Sequence, residues 1–310
     1  MTEHVLSAAP THSRWNRSLP PRLEIDPGDS VHFECVEAAG GQVRPGMSIE
    51  ELATIDRGRV HALTGPVFIR GAAPGDVLEI EILHLAHHGW GYSTIVEGLG
   101  FLKERFRDPR IFHWQLLPHE TRSLAPAVVP LRPFCGVMGV APAADGEFRT
   151  RPPGPFGGNM DVRELGAGAR LYLPVFNPGA LFSCGDGHAA QGDGEVCING
   201  IECPLNATLR FQLHRGPSIA APLLESAEQP SGAADSWIVV ESDPDPLRAA
   251  RNATSRMVDL LVRVWGFSEV HAYILCSVAM NLRLSQVVNE PMVTVSAAIA
   301  KSVLPQRRLF

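Results

Sequence analysis

The sequence predicts a mainly β protein, with a β-rich body at residues 1–240 and a small α/β lobe at residues 241–310. Glycine and proline supply 29 and 26 of the 310 residues. Because both residue types disfavour helix interiors and favour turns, this composition is typical of short strands joined by turns. Apolar and polar residues also alternate in several segments, which indicates half-buried strands. A long run of apolar residues at helical spacing occurs only after residue 240.

Two Pro-Gly-Asp turns each precede a predicted strand in the first part of the chain. The turn at 27–29 leads into an alternating segment over 31–35, and the turn at 74–76 leads into another over 77–85. Residues 86–130 are rich in His, Trp, Gly and Pro and show little periodicity, so we expect long loops with short strands that partly cover a site. The other predicted elements of the body are a short helix within 47–56 and strands at 67–69, 171–175, 198–205 and 208–214.

The tail of the chain predicts two helices followed by two strands. Asp245 and Pro246 are typical residues for an N-cap and a first helical turn. Apolar residues then recur at helical spacing from 247 to 264, and Gly266 ends the helix. Ser268 is a suitable N-cap for the next helix. The remaining predicted elements are that helix at 269–280 and strands at 282–288 and 292–299.

The net charge of −6 and the pI near 6.1 argue against nucleic acid as a partner. The chain has no run of Lys or Arg of the kind that binds phosphate backbones. It also has no signal-peptide pattern and no stretch of about 18 uncharged apolar residues, so we expect no membrane span and a cytosolic location. Six cysteines occur without a Cys-X-X-Cys pair, which favours reduced, mostly buried thiols over a disulfide framework.

The densest polar cluster lies at residues 183–195, where the motif Gly-Asp-Gly occurs twice. Closely spaced glycines allow tight backbone turns, so Asp186, His188 and Glu195 can converge. Asp, His and Glu are ligands of divalent ions such as Zn²⁺, Mn²⁺ or Ca²⁺. The alternative is an exposed hairpin in which Asp occupies the turn and His188 faces solvent.

A second polar cluster follows a pair of glycines. Gly157 and Gly158 indicate a close backbone approach to a ligand. Asn159 would then be a neutral amide partner, and Asp161 would be a ligand or an anchor. The alternative is a helix over 160–165 with Asn159 as its N-cap.

Two cysteines are candidate nucleophiles, Cys135 and Cys184. A catalytic thiolate needs a nearby cation or imidazole to lower its pKa. Of the two, only Cys184 has such a neighbour in the sequence, because His188 lies four residues later. We place both thiols below a metal site as the reacting centre. We expect solvated or core positions for five other histidines, with His12 the best placed to reach a site: His12, His61, His84, His87 and His88.

Five blocks of the sequence follow one another in a characteristic order: Thr64–Val67, Gly71–Asp76, Pro133–Pro142, Gly157–Asp161 and Gly185–Glu195. Together they resemble the signature motifs of the acetamidase/formamidase family, and the resemblance spans nearly the whole chain. It implies hydrolysis of small carboxamides to carboxylate and ammonia, divalent-metal binding and homo-oligomers. It also implies a β-rich fold with jelly-roll-like and barrel parts plus a small α/β lobe.

On chemical grounds we predict that Asp161, Asp186 and His188 hold a divalent metal ion. Zinc is the expected ion, with calcium and manganese as alternatives. Glu195 would act as general base on the bound water and would return the proton to the leaving nitrogen. The small amide substrate is the expected partner, with neither nucleic acid nor membrane involved.

The remaining predicted roles concern the substrate. Asn159 would act in catalysis, stabilising the oxyanion or holding the amide NH₂ group. The predicted substrate-binding residues are Gly157, Gly158 and Gln191. Two alternatives stay open: a cysteine nucleophile in place of the metal, and a non-catalytic β-sandwich protein that binds a small ligand.

Overall fold

Two β-sheets pack face to face and share one hydrophobic core. The computed structural model describes residues 1–216, 219–227 and 235–310, and within these ranges one sheet has nine strands and the other five. Phe33 of the larger sheet packs edge to face against Phe182 of the smaller sheet, with ring centroids 6.0 Å apart. Both rings are fully buried. The mainly β fold is therefore confirmed.

The elements of the described chain are numbered in sequence order. The strands are β1 (Glu3–Leu6), β2 (Arg14–Trp15), β3 (Leu23–Ile25), β4 (Ser30–Cys35), β5 (Leu63–Ile69), β6 (Val77–His87), β7 (Trp90–Ile95), β8 (Arg110–Gln115), β9 (Glu120–Thr121), β10 (Val129–Pro130), β11 (Phe134–Gly139), β12 (Phe148–Arg149), β13 (Gly157–Asn159), β14 (Arg170–Pro174), β15 (Phe182–His188), β16 (Leu205–His214), β17 (Leu223–Glu225), β18 (Ser236–Asp243), β19 (Met280–Gln286) and β20 (Val293–Ala300). The helices are α1 (Ile49–Leu52), α2 (Pro246–Trp265) and α3 (Glu269–Ala279), with single 3₁₀ turns at Arg57–Arg59 and Lys301–Val303.

The larger sheet has the strand order β1-β4-β16-β6-β14-β17-β18-β20-β19. The predicted alternation is confirmed in β4, where Val31, Phe33 and Cys35 are buried and the residues between them are partly exposed. Burying each large apolar side chain stabilises the fold by roughly 1.5–3 kcal/mol. Both Pro-Gly-Asp turns lead into strands of this sheet, β4 and β6.

The smaller sheet brings the two glycine-rich motifs together. Its strand order is β13-β11-β15-β5-β3. The motif at residues 157–161 begins on β13, and the motif at residues 185–195 begins in the last part of β15. Both strands pair with β11. Every residue of β11, β13 and β15 is buried. The two motifs therefore lie side by side across β11 in the interior.

The C-terminal helices pack on one end of the larger sheet, as their sequence pattern predicts. α2 begins at Asp245, whose carboxylate accepts hydrogen bonds from the backbone of Leu247 and Arg248, and it ends at Gly266 in the left-handed region. Its buried face packs against β18 and β20. Because β18 spans the proposed boundary at residue 240 and pairs with both β17 and β20, one sheet runs through both segments. The division into two domains stays a prediction.

One alternative and one prediction of local structure are wrong. Residues 160–165 do not form a helix capped by Asn159, because Asn159 ends β13 and Asp161 has a left-handed φ of +49°, which no α-helix continues. Residues 198–204 precede β16 instead of forming a strand. Ile198 has a φ of +78°, which interrupts an extended chain.

Residues 86–130 hold long loops and short strands, as predicted. β7 and β8 form an antiparallel pair. The backbone of Tyr92 in β7 exchanges hydrogen bonds with Glu202, at 2.9 and 2.8 Å. This pair of strands therefore lies against the segment that follows the second Gly-Asp-Gly motif.

The cysteines agree with the prediction of reduced thiols. All six are free, and Cys197 is the one that is exposed. In the described part of the chain, α2 and the shorter helices lack the apolar span that crossing a bilayer requires. The cytosolic location stays a prediction.

Candidate active site

A cavity of about 620 Å³ contains residues from both glycine-rich motifs. Its buried end is polar and its open end is lined by exposed residues such as Arg57 and Arg149. The buried acidic, imidazole and amide side chains that line the cavity come from five segments and are Asn159, Asp186, His188, Glu195, Glu202 and Asn289. Asp161 lies beside them, with its Oδ1 3.9 Å from His188 Nδ1.

Gly136 on β11 makes room for the acidic groups that flank it. A Cβ atom at this position would lie 2.4 Å from Asp161 Oδ1 and 2.8 Å from Asp186 Oδ2. Real Cβ atoms do not approach other atoms this closely. The middle strand therefore needs a glycine where the two motifs face each other.

Three acidic residues of the cluster have left-handed backbone conformations. The φ angles of Asp161, Asp186 and Glu195 are +49°, +57° and +47°. Such a conformation in a residue other than glycine costs of order 1–3 kcal/mol and persists where the surrounding structure imposes it. Here the three carboxylates belong to two groups that share His188.

His188 is held by hydrogen bonds on both ring nitrogens. Its Nδ1–H donates to Gln191 Oε1 at 2.8 Å, and the Gln191 Nε2 group donates to the backbone carbonyls of Asp161 and Ser285 at 2.9 and 3.3 Å. Its Nε2 lies 2.9 Å from Glu202 Oε1 and 3.7 Å from Asp186 Oδ1. Gln191 therefore fixes the ring with Nε2 directed at the carboxylates, the orientation a metal-binding histidine needs.

Several buried oxygens around His188 have no hydrogen-bond partner among the described residues. They are Asn159 Oδ1, Asp161 Oδ1, Glu195 Oε2 and Glu202 Oε2. The other oxygen of Asp161 accepts a hydrogen bond from Asn289 Nδ2 at 2.5 Å. An unpaired buried carboxylate oxygen is costly unless a cation or a proton compensates it.

Burial and mutual repulsion perturb the ionisation of this cluster. Burial raises the pKa of Asp161 to about 7 and the pKa of Glu202 to about 8. Burial and the charge of Asp161 also raise the pKa of Glu195 well above its usual range. For His188, burial lowers the pKa, but the charges of Glu202 and Asp186 outweigh it and raise the pKa well above its usual range. The cluster therefore retains protons that a divalent cation would displace.

The residues present fit a divalent metal ion. The ligand atoms of Asp161, Asp186 and His188 lie within 4.8 Å of one another, and those of His188, Glu195 and Glu202 form a second such group. Carboxylate oxygens with one imidazole suit zinc, manganese or similar ions. The exposed-hairpin alternative is wrong for the first Gly-Asp-Gly motif, which lies inside β15.

The chain matches a known family over almost its full length. Residues 2–146 and 143–306 match the model of the Acetamidase/Formamidase family. The chain belongs to this family. It is 29% identical to the acetamidase of Mycolicibacterium smegmatis over 253 residues. This alignment covers 61% of this chain and 62% of the relative. The chain spans less than two thirds of the length of each of three curated relatives it matches.

Solved structures of acetamidase/formamidase proteins have the same fold. A predicted acetamidase/formamidase from Thermoanaerobacter tengcongensis superposes with a TM-score of 0.90 at 28% identity, covering 98% of this chain and 97% of that one. The acetamidase of Bacillus halodurans gives a TM-score of 0.88 at 32% identity, with coverages of 96% and 98%.

The predicted site residues of this acetamidase/formamidase family member occupy different positions relative to the cavity. Asn159, Asp186, His188 and Glu195 line it, and Asp161 adjoins them. Gln191 lies behind His188, so its side chain positions the ring rather than facing the cavity. These placements are compatible with the predicted metal, base and amide-binding roles, which stay predictions.

The two glycines lie away from the cavity, and their predicted substrate-binding role stays a prediction. The Gly157 amide donates to the Gly154 carbonyl at 3.0 Å, so it is not free to bind a substrate. Gly158 packs against the ring of Phe156, where an added Cβ would lie 2.8 Å from the ring. Neither glycine is among the cavity-lining residues of the described chain. Both shape β13 and the turn into Asp161.

Sequence reasoning missed several residues of this site. Glu202 and Tyr92 line the cavity, and the Tyr92 hydroxyl donates to Glu37 Oε2 at 2.9 Å. His61 also lines the cavity, beside Thr150. Glu202 is a lone acid between apolar residues on either side, which is the one local signal that could have identified it.

The candidate cysteines are not arranged as nucleophiles. Cys135 and Cys184 are buried in the shared core and are absent from the cavity lining of the described residues. Burial raises the pKa of Cys184 well above its usual range, whereas a catalytic thiol needs a lowered pKa. His12 also stays outside the cavity, with its Nε2 2.9 Å from Ser183 Oγ.

Proposed function

We propose that the protein hydrolyses the carbon–nitrogen bond of a linear carboxamide, of the acetamide or formamide type, to a carboxylate and ammonia. The observation that carries this proposal is the buried cluster of one imidazole and four carboxylates at the end of a cavity, in a chain of this family. Water supplies the oxygen of the new carboxylate, and the amide nitrogen leaves as ammonia. The family membership supports the reaction class.

We further propose that Asp161, Asp186 and His188 hold a divalent ion, zinc first and calcium or manganese otherwise. The unpaired buried oxygens support this assignment. Such an ion would polarise the amide carbonyl and acidify water. Asn289 keeps one oxygen of Asp161 in place, and Gln191 keeps the His188 ring in place.

Glu195 is the residue that moves the proton in this proposal. Glu195 lines the cavity, and its Oε2 is buried and has no hydrogen-bond partner among the described residues. It would take a proton from the attacking water and deliver it to the leaving nitrogen. Because burial and neighbouring acids raise its pKa, its carboxylate is a stronger base than an exposed glutamate.

Asn159 orients the substrate in this proposal. Its Oδ1 is buried, lines the cavity and has no partner among the described residues. An amide oxygen accepts hydrogen bonds, so Asn159 Oδ1 would accept one from the substrate NH₂ group. The contact would select carboxamides over esters, which lack that donor.

Ammonia release tests the proposed function. We expect the purified protein to release ammonia from at least one amide in a panel of neutral and charged carboxamides of increasing length. A chelator should abolish this activity, and added zinc should restore it. Binding without ammonia release would favour the ligand-binding alternative, and activity that a chelator leaves intact would exclude the metal and reopen the cysteine mechanism.

We also propose that the chain forms homo-oligomers through α3 and β19. Val270, Ile274 and Val278 follow one face of α3 and are 55–76% exposed. Leu282 and Leu284 of β19 are also exposed, and β19 is an edge strand of the larger sheet. An apolar helix face beside an open strand edge is typical of a surface that a second copy covers.

Sedimentation analysis tests this assembly. We expect Ile274→Glu to reduce the sedimentation coefficient to that of a monomer, because burying an unpaired charge in an interface is unfavourable. Leu247→Glu is the control, since Leu247 is 67% exposed on α2 and lies outside the proposed surface. A monomeric wild-type protein would refute the proposal.

A further inference from the structure

The cavity is larger than a small amide requires. Its volume is about 620 Å³, whereas acetamide occupies roughly the volume of three water molecules at ~30 Å³ each. Cavities of about 300–1,000 Å³ usually hold ligands of drug size. The space beyond the acidic cluster can therefore accommodate the rest of a longer substrate.

Apolar side chains line this additional space. Ala39 and Val43 are buried and pack with Leu52, Ile55 and Val60 in one hydrophobic cluster. All five residues line the cavity. Such a wall favours methylene groups or a ring and disfavours charge next to it. The part of the substrate that lies here is therefore apolar.

Four arginines line the same cavity, Arg14, Arg57, Arg149 and Arg151. Within the described residues none of them forms an ion pair, and their one side-chain hydrogen bond runs from Arg14 to the Ser13 carbonyl at 2.8 Å. Burial lowers the pKa of Arg151, the charge of Glu290 opposes this effect, and the charges of Arg149 and Arg57 add to it. Three cations thus lie close enough to repel one another, an arrangement that an anion would stabilise.

One acidic side chain at the open end compensates these four cations only in part. Glu290 lines the cavity and is exposed. Its charge acts on Arg151, but its Oε1 also lies 2.8 Å from Lys103 Nζ, so this one carboxylate is shared between Lys103 and the arginine group. A guanidinium group binds a carboxylate through two parallel hydrogen bonds. The arginine group is therefore suited to a carboxylate from outside the chain.

We propose that the substrate is a linear amide that carries a carboxylate at the end remote from the scissile bond, with a short apolar spacer between the two groups. The amide would lie at His188 and Glu195, the spacer against Val43, and the carboxylate at Arg149 and Arg151. This inference rests on the proposed amide hydrolysis and names the substrate class. The reaction is the same: water cleaves the C–N bond, ammonia leaves, and a dicarboxylate forms.

Matched substrates test the inference. The monoamides of straight-chain dicarboxylic acids are compared with neutral amides of equal chain length, using the metal-loaded protein. We expect kcat/KM at least 10-fold higher for the acidic amide at the best spacer length, and a decrease of this advantage as ionic strength rises, because salt screens the attraction. Equal or lower kcat/KM for every acidic amide would overturn the inference while leaving the amidase proposal intact.

Two arginine variants locate the subsite. Arg151→Gln and Arg149→Gln should each raise KM for the acidic amide by about 10-fold or more, as expected for loss of a hydrogen bond to a charged group, with kcat nearly unchanged. Kinetics with the neutral amide should not change. Arg107→Gln is the control, since Arg107 is 74% exposed and outside the cavity lining. Arg149 is exposed, so Arg149→Gln should fold even if Arg151→Gln does not. An equal effect on both substrates would refute the subsite.

Discussion

Glu195→Gln should lower kcat by about 10²–10⁴-fold, and the protein should keep its metal. The amide side chain of glutamine has nearly the same shape as glutamate but cannot accept and return a proton, and general acid–base catalysis contributes about this factor. Glu195 is buried at the cavity, with one oxygen free of described partners. The measurement is steady-state ammonia release together with metal content by elemental analysis.

Two further variants test whether the loss of activity is specific to Glu195 or follows from the loss of any buried glutamate. Glu241→Gln removes another buried glutamate, which pairs with Arg256 outside the cavity, so it should lower stability and leave kcat intact. Glu202→Gln removes the partner of His188 Nε2, and we expect it to weaken metal retention. Full activity in Glu195→Gln, with activity lost in Glu202→Gln, would transfer the base role to Glu202.

The strands and the long helix could be predicted because their signals are local. Alternation in β4, the two Pro-Gly-Asp turns, and the Asp245 and Gly266 ends of α2 each depend on a few neighbouring residues. The alternative of a helix at 160–165 arises because Asn is a good helix N-cap in isolation. In the folded chain, pairing between β13 and β11 fixes Asn159 in a strand instead.

Four residues of the candidate site could also be predicted from the sequence, because they lie in two dense motifs: Asp161, Asp186, His188 and Glu195. The rest depends on contacts between distant segments. Asn289 binds Asp161 from 128 positions away, and Glu202 meets His188 only because its segment pairs with the end of β15. No composition or spacing rule brings such residues together before the sheet topology is known.

Gly136→Ala should abolish metal binding and lower kcat/KM by at least about 100-fold. The added methyl group would lie 2.4 Å from Asp161 Oδ1 and 2.8 Å from Asp186 Oδ2, in the space where the two carboxylates face each other. Asp161 cannot retreat freely, because Asn289 Nδ2 donates to its other oxygen at 2.5 Å. The carboxylates must therefore separate, and overpacking of this kind costs about 1–3 kcal/mol of stability.

The matched control is Gly192→Ala, in the second Gly-Asp-Gly motif. An added Cβ at Gly192 meets no atom within 4 Å, and its φ is not in the left-handed region, so stability, metal content and activity should stay at wild-type levels. Metal content and thermal unfolding of both variants, measured beside ammonia release, separate loss of the site from loss of the fold. If folded Gly136→Ala protein bound metal and turned over substrate normally, Asp161 and Asp186 could not be the pair that holds the ion, and the metal assignment would have to move to His188, Glu195 and Glu202.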